Sequence, residues 1–274
     1  MIFCFPALAK LLLLTGTDFG IMPKNTKMTF KKLLKSTDSK NLIADAKNIA
    51  AAQNSGLIWD TSVDAILKIA AGDPDGLAPN IKESKTESSV LKKWLQKYAD
   101  GHANRISQRV VNLPRTVADP IVETIISCRL PHLKTDGLAK ISFGHRLSMT
   151  AENVLGHLLE EFLANELAAF KWHCCWGETL RSVDFVNEDG RLLQVKNRSN
   201  SENSSSSRVR IGTEIEKWFR VNANSGKYLW EDLNKLHSTL NLSEENFKDF
   251  VVKTLKANPK ALPVELANPW IKKE

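Results

Sequence analysis

The sequence predicts an α/β fold, a small mixed sheet flanked by helices and preceded by a helical N-terminal region. Three observations point there. Segments between residues 29 and 145 carry helix-type apolar spacing. A hairpin pattern follows from Val183 to Lys196. Amphipathic segments stand on either side of that hairpin. The chain has 274 residues, enough for one large domain or two small ones. It is divided here into a leader (1–27), a helical region (28–145) and an α/β core with C-terminal helices (146–274).

The leader begins "MIFCFPALAKLLLLTG". Its apolar run is too short to span a bilayer, and it lacks a basic n-region or a clear cleavage site. Met22 and Met28 follow, and "KMTFKKLL" reads as a natural beginning. The expectation is a non-native or disordered leader from an over-extended start, with a cleaved signal peptide as the alternative. The chain is expected to be cytoplasmic, with no membrane partner.

In the next region, "TFKKLLKS", "NLIADAKNIAAAQ", "TSVDAILKIAAG", "SSVLKKWLQKYADGHANRISQRV" and "DPIVETIISCRL" read as helices. Breakers such as "GDPDGLAPN" separate them. The pattern changes near Ser148. "SMTAENVLGHLLEEFLANELAAF" reads as a long amphipathic helix, capped by Ser148 or Thr150, with Leu155, Leu158, Leu159, Phe162 and Leu163 as its apolar stripe. "WHCCWG" reads as a short strand. The hairpin comes next, then the polar stretch "NRSNSENSSSSRVR", and then "GTEIEKWFRV", read as a second amphipathic helix.

Charge and cysteines narrow the function. A net charge of +7 suits an anionic partner such as nucleic acid. The four cysteines are too few and too unevenly spaced for a disulfide framework. In "HCC", neighbours on a strand face opposite ways and cannot easily share a zinc ion, so buried thiols are expected. The tryptophans, among them Trp172, Trp176, Trp218 and Trp230, are expected in the core or at a subunit interface.

The hairpin carries the chemistry. A two-residue Asp189-Gly190 turn would set Asp184 opposite Val195. A three-residue Glu188-Asp189-Gly190 loop sets it opposite Gln194, and Gly190 tolerates the left-handed conformation that such loops end on. Asp184, Gln194 and Lys196 then share one face. A carboxylate, a neutral oxygen ligand and a lysine suit metal-assisted phosphodiester hydrolysis: Asp184 and the Gln194 carbonyl as ligands, Lys196 to orient water or stabilise charge.

Asp184, nine intervening residues and Gln194-x-Lys196 resemble the PD-(D/E)XK nuclease motif. Two departures stand out: Ser182-Val183 occupy the place of the motif's proline, and Gln194 replaces the usual acid. The longer strings "GHLLEEFLANEL", "WHCCWGETLRSVDF" and "LLQVKNRSNSENSSSSRVRIGTEIEKWFRV" resemble type II restriction endonucleases of the SinI kind, most strongly from about 120 to 235. The resemblance implies a PD-(D/E)XK nuclease core of αβββαβ type. It also implies Mg²⁺ as cofactor, double-stranded DNA as partner, a homodimer on a short palindromic site associated with GGWCC, and a methyltransferase gene as neighbour rather than a bound subunit. It further implies a metal-binding glutamate on the helix before the sheet. Glu160, one turn after Gly156, is the expected residue, with Glu161 turned toward solvent and Glu152 too far away.

In the polar stretch, serine and asparagine can bond phosphates and bases, and arginine can pair with guanine. Arg198, Asn200, Ser201, Asn203, Ser205, Ser206, Arg208 and Arg210 are therefore expected at DNA, with Lys217 and Arg220 on phosphates; a flexible linker is the bland alternative. Two other functional readings stay open: a repair or structure-specific endonuclease on the same core, and a non-catalytic DNA-binding protein.

Overall fold

The computed structural model describes residues 27–52, 59–111, 119–199 and 215–271. Residues 1–26 of the leader and residues 200–210 of the polar stretch lie outside them. The N-terminal region forms α1 (Phe30–Ser36), α2 (Ser39–Ala51), α3 (Thr61–Gly72), α4 (Pro74–Leu77) and α5 (Glu87–Ala103). Side chains cap the starts: Thr29, Asp38, Asp60 and Thr86 each accept from first-turn amides that have no partner inside their helix. The inward faces meet in one core around Phe30, Leu42, Ile66, Leu67, Trp94 and Tyr98.

α6 (Pro120–Arg129) follows, with no buried residue, and then α7 (Thr135–Leu167). α7 corrects the expected start at Ser148. Its 33 residues begin well before that serine. Thr150 caps nothing: its hydroxyl donates to the Arg146 carbonyl at 2.9 Å, the back-bond of a mid-helix threonine. The segment from 135 onward is itself helix-competent, and a bidentate Arg146–Glu265 pair, at 2.7 and 2.8 Å, ties it to the C-terminal residues.

The sheet has the order β1-β2-β3-β4: β1 (Trp172–Cys174), β2 (Phe185–Asn187), β3 (Leu192–Arg198) and β4 (Ile215–Val221). β1, β2 and β3 are antiparallel neighbours, and β4 lies parallel to β3, so the sheet is mixed. β4 corrects the second amphipathic helix expected over "GTEIEKWFRV". Its apolar residues satisfy both a helical and an alternating reading, and pairing with β3 decides in favour of the strand. The polar stretch therefore connects two parallel strands, a link that must be long to return the chain to the same end of the sheet.

Both sheet faces are covered. Val186 and Ile215 join the core of the N-terminal helices. Phe185, Leu193, Val195 and Trp218 join a second core with α7, α8 (Trp230–Asn234) and α9 (Glu244–Ala257). Alternation along each strand makes this division. Among the described residues, no helix is long and apolar enough to cross a membrane.

The two halves meet closely at Gly101 and Gly177. A Cβ on Gly101 would overlap the Gly177 backbone, and one on Gly177 would overlap the Lys97 carbonyl. Gly177 also holds a φ of +70°. The end of α5 thereby rests directly on the loop after β1.

Candidate active site

The hairpin turns through Glu188-Asp189-Gly190. Val186 pairs with Leu192, the Asn187 amide donates to the Arg191 carbonyl at 3.1 Å, and Gly190 sits at φ +90°. This is the register of the three-residue loop, and it brings Asp184 beside β3. Asp184 is held from three sides. Its amide donates to the Leu193 carbonyl at 2.9 Å, its carbonyl accepts from Cys175 at 2.8 Å, and its Oδ2 accepts from the Val195 amide at 2.7 Å.

A cavity of about 430 Å³ opens beside it. Asp184, Lys196 and Glu160 all line it, so residues from β3, the β2 approach and α7 converge there. Gln194 does not line it; it is buried, with 4% of its surface exposed. His157 lines the cavity one turn before Glu160, 3.8 Å from it. Cys174 and Cys175 also border it, and burial pushes both thiols well up, which keeps them protonated.

The Asp184 carboxyl is pushed up to about 7 by burial and by the neighbouring Glu160 charge, against the pull of the Val195 amide and Lys196. The cavity thus favours a compensating cation. Among the described residues no three His, Cys, Asp or Glu side chains converge as a metal cluster. Two carboxylates at a polar cavity nonetheless suit a hard divalent cation that keeps several waters.

The raised carboxyl has a stability consequence. The folded state holds a proton that the unfolded chain, near 3.8, has already released. The contribution is present below about pH 4 and is lost as pH rises through about 7. In metal-free protein at pH 8, Asp184→Asn is therefore expected to stabilise the fold by roughly 1–3 kcal/mol, discounted because the carboxyl borders open solvent. The gain should shrink toward pH 4. Urea unfolding in chelator at pH 5 and pH 8 reads it, and coincident midpoints at pH 8 would contradict it.

Other expected site residues fare differently. Arg198 is exposed at the end of β3, and Lys217 is exposed on β4 rather than on a helix. Arg220 is corrected: it is 8% exposed, its Nε donates to Asn197 Oδ1 at 2.9 Å, it pairs with Glu244, and it lies over the Phe247 and Tyr228 rings. It serves the packing of α9 on β4 and is not presented to a phosphate. Glu161 is also corrected. It is 3% exposed and accepts from both the amide and the hydroxyl of Ser107. Asn200, Ser201, Asn203, Ser205, Ser206, Arg208 and Arg210 lie outside the described residues.

The sequence reading missed the far wall. Asn104, Arg105 and Arg109, just after α5, line the same cavity from about 75 residues upstream. Their only sequence signal is a basic pair four residues apart behind a helix end.

Known proteins share sequence similarity with this region. The chain is 39% identical over 155 residues to Type II restriction enzyme Eco47I of Escherichia coli, covering 55% of the chain and 66% of that relative. It is 39% identical over 143 residues to Type II restriction enzyme SinI of Salmonella infantis, covering 50% of the chain and 62% of that relative. The matched part thus spans just under two thirds of each relative's length. A family profile described as SinI restriction endonuclease matches residues 46–257, which take in the whole cavity wall and the sheet, and the chain belongs to that family.

Proposed function

We propose that the chain is a type II site-specific deoxyribonuclease, hydrolysing double-stranded DNA at a short palindromic site with GGWCC as the candidate. The observation that carries the reading is the cavity where Asp184, Glu160 and Lys196 converge. Family membership supports the reaction class.

Asp184 and Glu160 would hold Mg²⁺, with Gln194, two residues before Lys196 on β3, as the supporting oxygen donor. The bound cation would polarise the phosphate and lower the pKa of a coordinated water. Lys196 stabilises negative charge building on the phosphorane and orients the attacking water. The Val195 amide fixes the Asp184 carboxylate, so little reorganisation is needed on reaction. A homodimer in the cytoplasm, with a methyltransferase gene as neighbour, completes the reading, because two-fold symmetry matches a palindrome. Domain limits at 28–145 and 146–274 remain part of it, with α7 running across them.

The test is incubation with plasmid DNA and Mg²⁺, followed by sequencing of the ends. One short palindrome at every cut is expected. Cuts that follow DNA shape instead would favour a structure-specific enzyme, and binding without cutting a regulator.

Base reading is assigned to the polar stretch, with Arg198 and Lys217 on phosphates beside it. Arg208→Ala or Arg210→Ala is expected to lose about 1–3 kcal/mol on the cut site and much less on unrelated DNA. Binding in Ca²⁺ on both DNAs checks it; equal losses would make these arginines backbone contacts.

A further inference from the structure

The turn after α5 is fixed more firmly than a connection requires. Ile106 is fully buried in the second core. Asn258, just past α9, donates to the carbonyls of Ile106 and Arg109, each at 2.8 Å. Ser107 gives its amide, at 3.1 Å, and its hydroxyl to the buried Glu161. Within the turn, the Arg109 amide donates to the Arg105 carbonyl at 2.8 Å, and Arg105 Nε donates to the His102 carbonyl at 2.8 Å. Glu160 and Glu161 divide the work on α7: one faces the cavity, the other anchors its opposite wall.

What this turn presents is a pair of guanidinium groups. Arg105 and Arg109 both line the cavity that holds Asp184, Glu160 and Lys196. Arg109 Nε is buried and has no hydrogen-bond partner. Burial pulls its pKa below the ordinary range, with Glu161 acting the other way. Glu161, which accepts from Ser107, gives it no hydrogen bond. A buried donor without an acceptor is costly, and a guanidinium cannot shed its charge to escape. The arrangement makes sense when an anion enters.

We propose that Arg109, with Arg105 beside it, is the phosphate-binding group of this site and holds a non-bridging oxygen of the DNA backbone at the bond to be cut. The proposal rests on the nuclease reading and deepens it. The cavity carries both signs: carboxylates to hold a cation, and a guanidinium fork matched to phosphate oxygens. A strand phosphate needs both.

The test uses the full chain, a plasmid that wild type cuts in Mg²⁺, and binding of a linear duplex in Ca²⁺ over a salt series. Arg109→Ala and the length-matched Arg109→Gln are expected to slow single-turnover cleavage by at least about 100-fold. Each should reduce the salt slope of binding by about one. Arg109→Lys, which keeps charge but not the fork, should cut about tenfold slower with the slope unchanged. Thermal midpoints of the Gln variant should equal or exceed wild type, since a partly buried guanidinium whose Nε has no acceptor is removed; a structural arginine would lower them. Arg129→Ala, at the exposed end of α6, is the control. Cleavage by the Ala or Gln variant within threefold of wild type, or an unchanged salt slope, overturns the proposal. If wild type itself cuts nothing, the nuclease reading fails, and the salt slope alone still decides whether Arg109 touches phosphate.

Discussion

Asp184→Ala and Lys196→Ala are each expected to reduce cleavage by about 10³-fold or more while leaving DNA affinity in Ca²⁺ within about tenfold, roughly 1.4 kcal/mol. The separation follows from where the two side chains sit. Both line the cavity, not the exposed strand ends where a duplex would be gripped. Asp184 is also the residue most strongly set apart from its ordinary chemistry, held by Val195 and crowded by Glu160. Its removal should cost cutting, while Asp184→Asn, which keeps an acceptor for the Val195 amide, should cost the metal-free fold nothing at pH 8. Single-turnover rates beside binding curves measure both effects. A variant of either residue that cuts at wild-type rate would move the active site elsewhere.

Gly177→Ala is expected to be the most damaging single methyl group in the described residues, at roughly 2–5 kcal/mol. Two penalties combine. The residue sits at φ +70°, and its new Cβ would run into the Lys97 carbonyl, which is helix backbone and cannot swing aside. Gly190→Ala isolates the first penalty. It shares a positive φ, at +90°, but no heavy atom lies within 4 Å of the built Cβ, so about 1 kcal/mol is expected. Urea unfolding of the two variants gives the comparison. Equal midpoints would show that α5 does not bear on the loop after β1 in solution.

The hairpin was legible because its logic is local. Loop length fixes register, and register decides which residue stands opposite Gln194. Glu160, expected from the family resemblance on the helix before the sheet, lines the same cavity. Three of the misreadings needed contacts from elsewhere in the chain. Nothing within "GTEIEKWFRV" chooses strand over helix; the partner strand does. Glu161 looks like a surface acid until Ser107, 54 residues away, supplies its donors. Arg220 looks like a phosphate contact until Glu244 and two aromatic rings enclose it. Arg105 and Arg109 belong to the cavity only because two glycines let α5 approach.

The Asn258 contact also sets when the cavity is complete. The cavity takes residues from the end of α5, from α7 and from the hairpin, and Asn258 near the C-terminus pins the arginine turn from behind. A growing chain still on the ribosome, or a product truncated before α9, lacks that last fastening. On the nuclease reading proposed above, an unfinished chain would therefore carry a loosened cavity wall, and cutting would be expected only from molecules whose synthesis is complete.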